Sequence, residues 1–215
     1  MSEQLSQERT GEPMDSDLMI TWRVPYVWGE GERLQPTDLF PDGIPDSVAE
    51  RRSRLDLRWR DSTADVEDAW LWMCQVRQAP YSYDLLDNRG RRSPRTPDPA
   101  MTNLELGQKV MGIFEITGFE PGRWFDLVPS SSYMKRLMPH LRVRYCVIPT
   151  PTGSRLAVAA WTNQEKPARI PQFLTWLPTM GDLIMMRKQL ITLAKLAEET
   201  TSEPGHPAKG PGPVA

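Results

Sequence analysis

The stretch TMGDLIMMRKQLITLAKLAEET, Thr179–Thr200, decides how the rest of the chain must fold. Leu183, Met186, Leu190, Leu193 and Ala197 recur at steps of three and four, which puts them on one face of an α-helix. Ile184 and Ile191 widen that stripe. Thr179 and Asp182, three residues apart, approximate a capping box with Asp in place of Glu, so the spacing predicts a helix that opens there. No helical pattern follows it, and an amphipathic helix of this length must bury its stripe against something earlier in the chain.

What lies earlier reads mostly as strands. In SRLDLRWR, Leu55, Leu57 and Trp59 alternate with Arg54, Asp56, Arg58 and Arg60, the period-two pattern of a half-buried antiparallel strand whose arginines form a solvated face. QKVMGIFEITGFEPGRWFDLVP reads as two strands around the turn Glu120-Pro121-Gly122. LRVRYCVI sets Leu141, Val143, Tyr145 and Val147 on one face. After a loop, Pro149–Ser154, RLAVAAWTN does the same with Leu156, Val158 and Ala160. A meander of antiparallel strands is the economical arrangement. Between the first strand and the rest, DSTADVEDAWLWMCQVRQAP predicts a helix capped by Ser62 or Thr63 and stopped by Pro80. Acidic residues stand at its positive end and Val66, Ala69, Trp70, Met73 and Val76 form its apolar face. The order is therefore that of an α+β domain in which one antiparallel sheet holds one long C-terminal helix.

The 215-residue chain has 39% hydrophobic and 25% charged residues, enough to bury a core and remain in water. A formal net charge of −2 argues against a general nucleic-acid binder. No run is long enough for a membrane span, and the first twenty residues lack the features of a signal peptide, so a cytoplasmic location is expected. Cys74 and Cys146 sit in apolar contexts and read as buried free thiols. Residues 1–17 and the Pro/Gly-rich 200–215 are expected to be disordered. Residues 18–52, broken by Pro25, Pro36, Pro41 and Pro45, are expected to form an extended leader packed on the domain through Trp22, Tyr26 and Trp28.

The patch WLWMCQVRQAPYSYDLLDNRGRRSP, with LGQKVMGIF, FEPGRWFDL and GDLIMMRKQLITLAKLAEE, resembles actinobacterial members of the START-like (SRPBCC, polyketide cyclase/dehydrase-like) superfamily from about Ser53 to Glu199. The resemblance implies a helix-grip fold of the Bet v 1/START kind, a curved antiparallel sheet wrapped around the long helix with a cavity between them. It also implies a small hydrophobic or aromatic ligand, such as a polyketide, lipid or isoprenoid. No catalytic motif is shared across the superfamily. With only His140 and His206 and no paired cysteines, the chain lacks the ligands of its Rieske oxygenase branch. No metal or other cofactor is expected.

Trp70, Gln75, Tyr81, Tyr83, Asp84, Phe114, Tyr145, Met186 and Leu190 are the candidate ligand-binding residues. Tyr81, Tyr83 and Asp84 would be polar fixtures at the mouth of an apolar pocket. The competing reading pairs Asp84 or Asp87 with Arg91 or Arg92 around a turn at Asn88-Gly90. An alternative function is a cyclase or dehydratase with Asp84 as base, Tyr81 or Tyr83 as proton donor and Arg91 as oxyanion stabiliser. A third is a regulator that docks a protein partner, and homo-oligomerisation stays open. The four arginines of RGRRSPRTP suggest a phosphate or acidic partner, though a solvated loop accounts for them as well, and Ser93-Pro94 is a candidate modification site.

Overall fold

A computed structural model describes residues 28–30, 33–41, 43, 45, 53–82, 92–138, 140–163 and 172–202. Seven strands form one curved sheet: β1 (Trp28–Glu30), β2 (Ser53–Ser62), β3 (Lys109–Val110), β4 (Phe114–Glu120), β5 (Trp124–Pro129), β6 (Arg142–Thr150) and β7 (Gly153–Asn163). Their order is β1-β2-β7-β6-β5-β4-β3, antiparallel throughout except for β1 on β2. The helices are α1 (Pro36–Leu39), α2 (Val66–Cys74), α3 (Ser132–Leu137) and α4 (Gln172–Thr201). This is the helix-grip arrangement, α+β, with α2 and α4 on the concave side of the sheet and packed on each other.

Local chemistry accounts for most boundaries. Asp65, rather than Ser62 or Thr63, caps α2 by accepting from the Asp68 amide at 2.8 Å, and the helix tightens into a 3₁₀ turn over Gln75–Arg77 before Pro80. Pro121 and Gly122, the latter at φ +80°, turn β4 into β5, with the Arg123 amide donating to the Glu120 carbonyl at 3.0 Å. A register shift between Ile116 and Gly118 interrupts the β4–β5 ladder, the kind of irregularity that bends a strand. The long helix begins at Gln172, two turns before Thr179, and runs through Pro178. A proline inside a helix removes one backbone bond, which is why the sequence pattern placed the start after it. Of the tail expected over 200–215, Thr200 and Thr201 belong to α4, while residues 1–17 and 203–215 and the leader anchors Trp22 and Tyr26 lie outside the described residues.

The central strands are buried on both faces. On the concave face Val143, Tyr145, Val147, Leu156, Val158 and Ala160 join one apolar cluster with α2 and α4. On the convex face Leu55, Leu57, Trp59, Cys146, Ala157, Ala159 and Trp161 join a second cluster, covered by Leu34, Leu39 and Phe40 of the leader. Leu55, Leu57 and Trp59 therefore face the leader, and their polar neighbours turn toward the long helix. Arg58 is wholly buried and Asp56 nearly so, which corrects the reading of this strand's arginines as a solvated face. The leader is fastened through Arg144. Its guanidinium grips Asp126 with two bonds of 2.7 and 2.8 Å, donates to the Leu39 carbonyl at 3.1 Å, and lies 4.7 Å from the Phe40 ring and 4.0 Å from the Trp124 ring.

Phe40 stands edge-on to Trp161 at 5.4 Å and is 2% exposed. Phe40→Ala is expected to lower stability by about 3–5 kcal/mol in denaturant titration. Loss of the ring also opens Trp161 to water, so the native tryptophan emission should shift to the red.

Candidate functional site

The registers of five strand pairs line up one row across the concave face: Trp28, Arg58, Val158, Tyr145, Phe125 and Phe119. Strands lie about 4.8 Å apart, so Arg58 and Tyr145 flank Val158 at a backbone separation of roughly 10 Å. Phe125 and Tyr145 stack at 5.1 Å with an interplanar angle of 8°, and Trp70 of α2 meets Phe125 edge-on at 5.9 Å. The floor of the grip is thus a shelf of aromatic rings with small side chains, Val158 and Ala160, beside it.

Polar chemistry reaches this shelf at two places. The Tyr145 hydroxyl donates to Gln189 Oε1 at 2.9 Å, and Gln189 Nε2 donates to the Pro80 carbonyl at 2.5 Å. Both side chains are buried, so the pair is satisfied without water, as a polar group in an apolar wall must be. Toward the β1 edge, the buried Arg58 guanidinium lies 4.0 Å from the Asp56 carboxylate, and Arg187 of α4 lies over the Trp28 ring at 4.9 Å. Low effective dielectric strengthens the field of such groups on anything lodged among them.

The structure sorts the candidates from the sequence. Trp70, Tyr145, Met186 and Leu190 meet in the concave cluster. Tyr81 belongs to the same cluster but turns edge-on to Trp72 at 6.0 Å, with its backbone at φ +52°, a left-handed conformation unusual for a tyrosine. Gln75 has a different use. Its amide nitrogen donates to the carbonyls of Leu71 and Asp98 at 2.9 and 3.0 Å and its oxygen accepts from the Asp98 amide at 3.1 Å, so it clamps the 98–102 turn to α2. Phe114 lies at the start of β4, five residues and roughly 16 Å along the strand from the row. Tyr83, Asp84 and Arg91, and with them most of the proposed acid–base set, lie outside the described residues, as do Asp87 and Asn88. Gln108 is held by its own loop, accepting from the Glu105 amide at 3.0 Å, and His140 is exposed.

Sequence reasoning missed Gln189, Phe125 and Arg58. The first two left a signal. Gln189 falls three residues after Met186, inside the apolar stripe, and Phe125 and Leu127 flank the polar Asp126 at period two in their strand. For Arg58 nothing in the local pattern distinguished burial from exposure.

Among the described residues no helix is long and apolar enough to cross a membrane, and no group of three or more His, Cys, Asp or Glu could hold a metal ion. No family model and no curated protein matches the chain. Solved structures do. A protein from Mesorhizobium loti aligns at 15% identity and TM-score 0.42 over 68% of this chain and 98% of its own. The di-domain ARO/CYC StfQ of the steffimycin biosynthetic pathway aligns at 12% and 0.40 over 71% of this chain and 52% of its own. A Thalictrum norcoclaurine synthase point mutant, in complex with a transition-state analogue, aligns at 14% and 0.35 over 70% and 97%.

The two thiols report on the two clusters. Cys74 faces the concave one and Cys146 the convex one, so the sheet itself separates them. Burial pushes the Cys74 thiol from 9.0 up to about 12, against a smaller pull from Arg77, and burial raises Cys146 as well. A raised folded-state value means the thiolate forms more readily in the unfolded chain. The thiols' contribution is therefore intact below the unfolded value and lost as pH rises, for Cys74 between 9.0 and about 12. Denaturant titrations across that window should show stability falling by up to about 1.4 kcal/mol per pH unit per thiol. The slope should be shallower in Cys74→Ala, and native protein should resist alkylation at neutral pH.

Proposed function

We propose that this protein binds a small hydrophobic or aromatic molecule between the concave face and α4, with the buried Tyr145–Gln189 pair orienting a ligand oxygen. The observation that carries this reading is the placement of that pair. A phenol and a carboxamide meet at 2.9 Å in the middle of a row of stacked rings, where packing alone would be better served by phenylalanine and leucine. A binding site for an apolar molecule needs this combination: broad apolar walls and a few fixed polar atoms that read orientation. Met186, 7% exposed and unbranched, sits one turn from Leu190 on the helix wall and can change rotamer to admit ligands of different outline.

The reading is tested by native mass spectrometry of gently purified protein, followed by organic extraction of the co-purifying molecule and titration of the extract back into Tyr145→Phe and Gln189→Met. A planar or lipophilic compound at one per chain is expected, with affinity reduced about tenfold in either variant. Equal affinity in both variants, with near-ultraviolet circular dichroism unchanged, would show that the pair serves packing alone.

A further inference from the structure

The face of α4 turned away from the sheet carries a second arrangement. Met186, Gln189, Leu190 and Leu193 look inward, and half a turn round the helix Lys188, Ile191, Thr192 and Lys195 recur at steps of three, one and three. Beside that outer stripe lie Tyr81 and Ser82, just after α2, and Ser93 and Arg95. With it they enclose an open pocket of about 200 Å³. Among the described residues, three of the eight lining side chains are cations and none is a carboxylate, in a chain that holds 28 acidic residues to 26 basic ones. Lys195 lies 3.7 Å from Glu199 across an exposed helical turn, a contact of little energy in water. Arg95 and Lys188 make no ion pair among the described residues.

The walls are held in place. Tyr81 is 1% exposed and edge-on to Trp72, whose indole N–H donates to Thr200 of α4 at 2.8 Å, so the segment and the helix are tied together behind the pocket. Thr192 Oγ1 donates to the Lys188 carbonyl at 2.8 Å, and the charged donors of this pocket are its ammonium and guanidinium groups. Tyr81 and Ile191 supply its apolar side.

The geometry points to a binding site for a small soluble phosphate monoester, separate from the concave-face site and independent of the reading given to it. A phosphate dianion neutralises two of three converging cations where a carboxylate neutralises one, and its three terminal oxygens offer each donor an acceptor. The volume holds a phosphate with a small ring or short chain, the chain lying against Tyr81 and Ile191. The arginine-rich stretch that reads from sequence as a solvated loop thereby contributes one specific group, Arg95.

Amide and side-chain shifts of the isotope-labelled full chain should be followed during titration with inorganic phosphate, phenyl phosphate and benzoate. The expected result is saturable shifts confined to residues 81–82, 93–95 and 188–195, strongest for phenyl phosphate and weakest for benzoate, and weakening with added salt. Arg95→Gln and Lys188→Gln, both at exposed positions, should each raise Kd about three- to tenfold, with Lys135→Gln on α3 as the unaffected control. Benzoate binding as tightly as phenyl phosphate, or shifts undiminished in the two variants, would overturn the proposal. So would co-sedimentation with phosphatidylglycerol vesicles in the absence of any response to the soluble phosphates, because the pocket would then read a membrane surface.

Discussion

The guanidinium of Arg144 ties the leader to the convex face of the sheet. It sits on β6, grips Asp126 on β5, and reaches the Leu39 carbonyl 105 residues away, with Phe40 and Trp124 on its faces. An arginine so deeply placed is destabilising unless its donors are engaged, and here engagement requires the leader to lie on the convex face. That cover lets Leu55, Leu57, Trp59 and Trp161 face outward from the grip without contact with water. Once those residues face the leader, the pleat leaves Asp56 and Arg58 no direction but inward. The charge under α4 and the strap on the far side of the sheet are two consequences of one constraint.

The same constraint explains what could be read from the sequence. The stripe on α4, the apolar face of α2, the Glu120-Pro121-Gly122 turn and the alternations of β6 and β7 are local signals, and each is found in the structure close to where the spacing puts it. Period two in SRLDLRWR identifies which residues share a face. It does not say which face is wet, because that depends on where the upstream leader is laid down. The start of α4 failed for a different reason. Pro178 carries a strong local penalty, and the helix accepts it.

At the site, apolar candidates were legible and polar ones were not. Trp70, Tyr145, Met186 and Leu190 announce themselves through periodicity, and all four lie in the concave cluster. Polar side chains are ordinarily weighed by a prior that treats polarity as exposure. Gln75 and Gln189 show why that prior misleads in both directions. Each is a glutamine on a helix beside apolar neighbours, and each is buried. Gln75 satisfies backbone atoms of a turn, whereas Gln189 meets a phenol in the middle of the aromatic row. Only the partners separate a clamp from a recognition group, and those partners lie 23 and 44 residues away.

Between its two faces α4 is a shared wall. Its inner stripe closes the aromatic shelf through Gln189, and its outer stripe carries Lys188 and Lys195, two of the pocket's three cations. The segment beyond α2 touches both, because the Pro80 carbonyl accepts from Gln189 while the next residue, Tyr81, lines the pocket. Tyr81 holds a left-handed backbone between two such contacts, so it has little freedom to absorb a displacement of Pro80 by itself. A ligand that drew Gln189 away from Pro80 would remove one of the restraints that set Tyr81, and a ligand that fixed Tyr81 would favour the geometry in which Gln189 keeps Pro80.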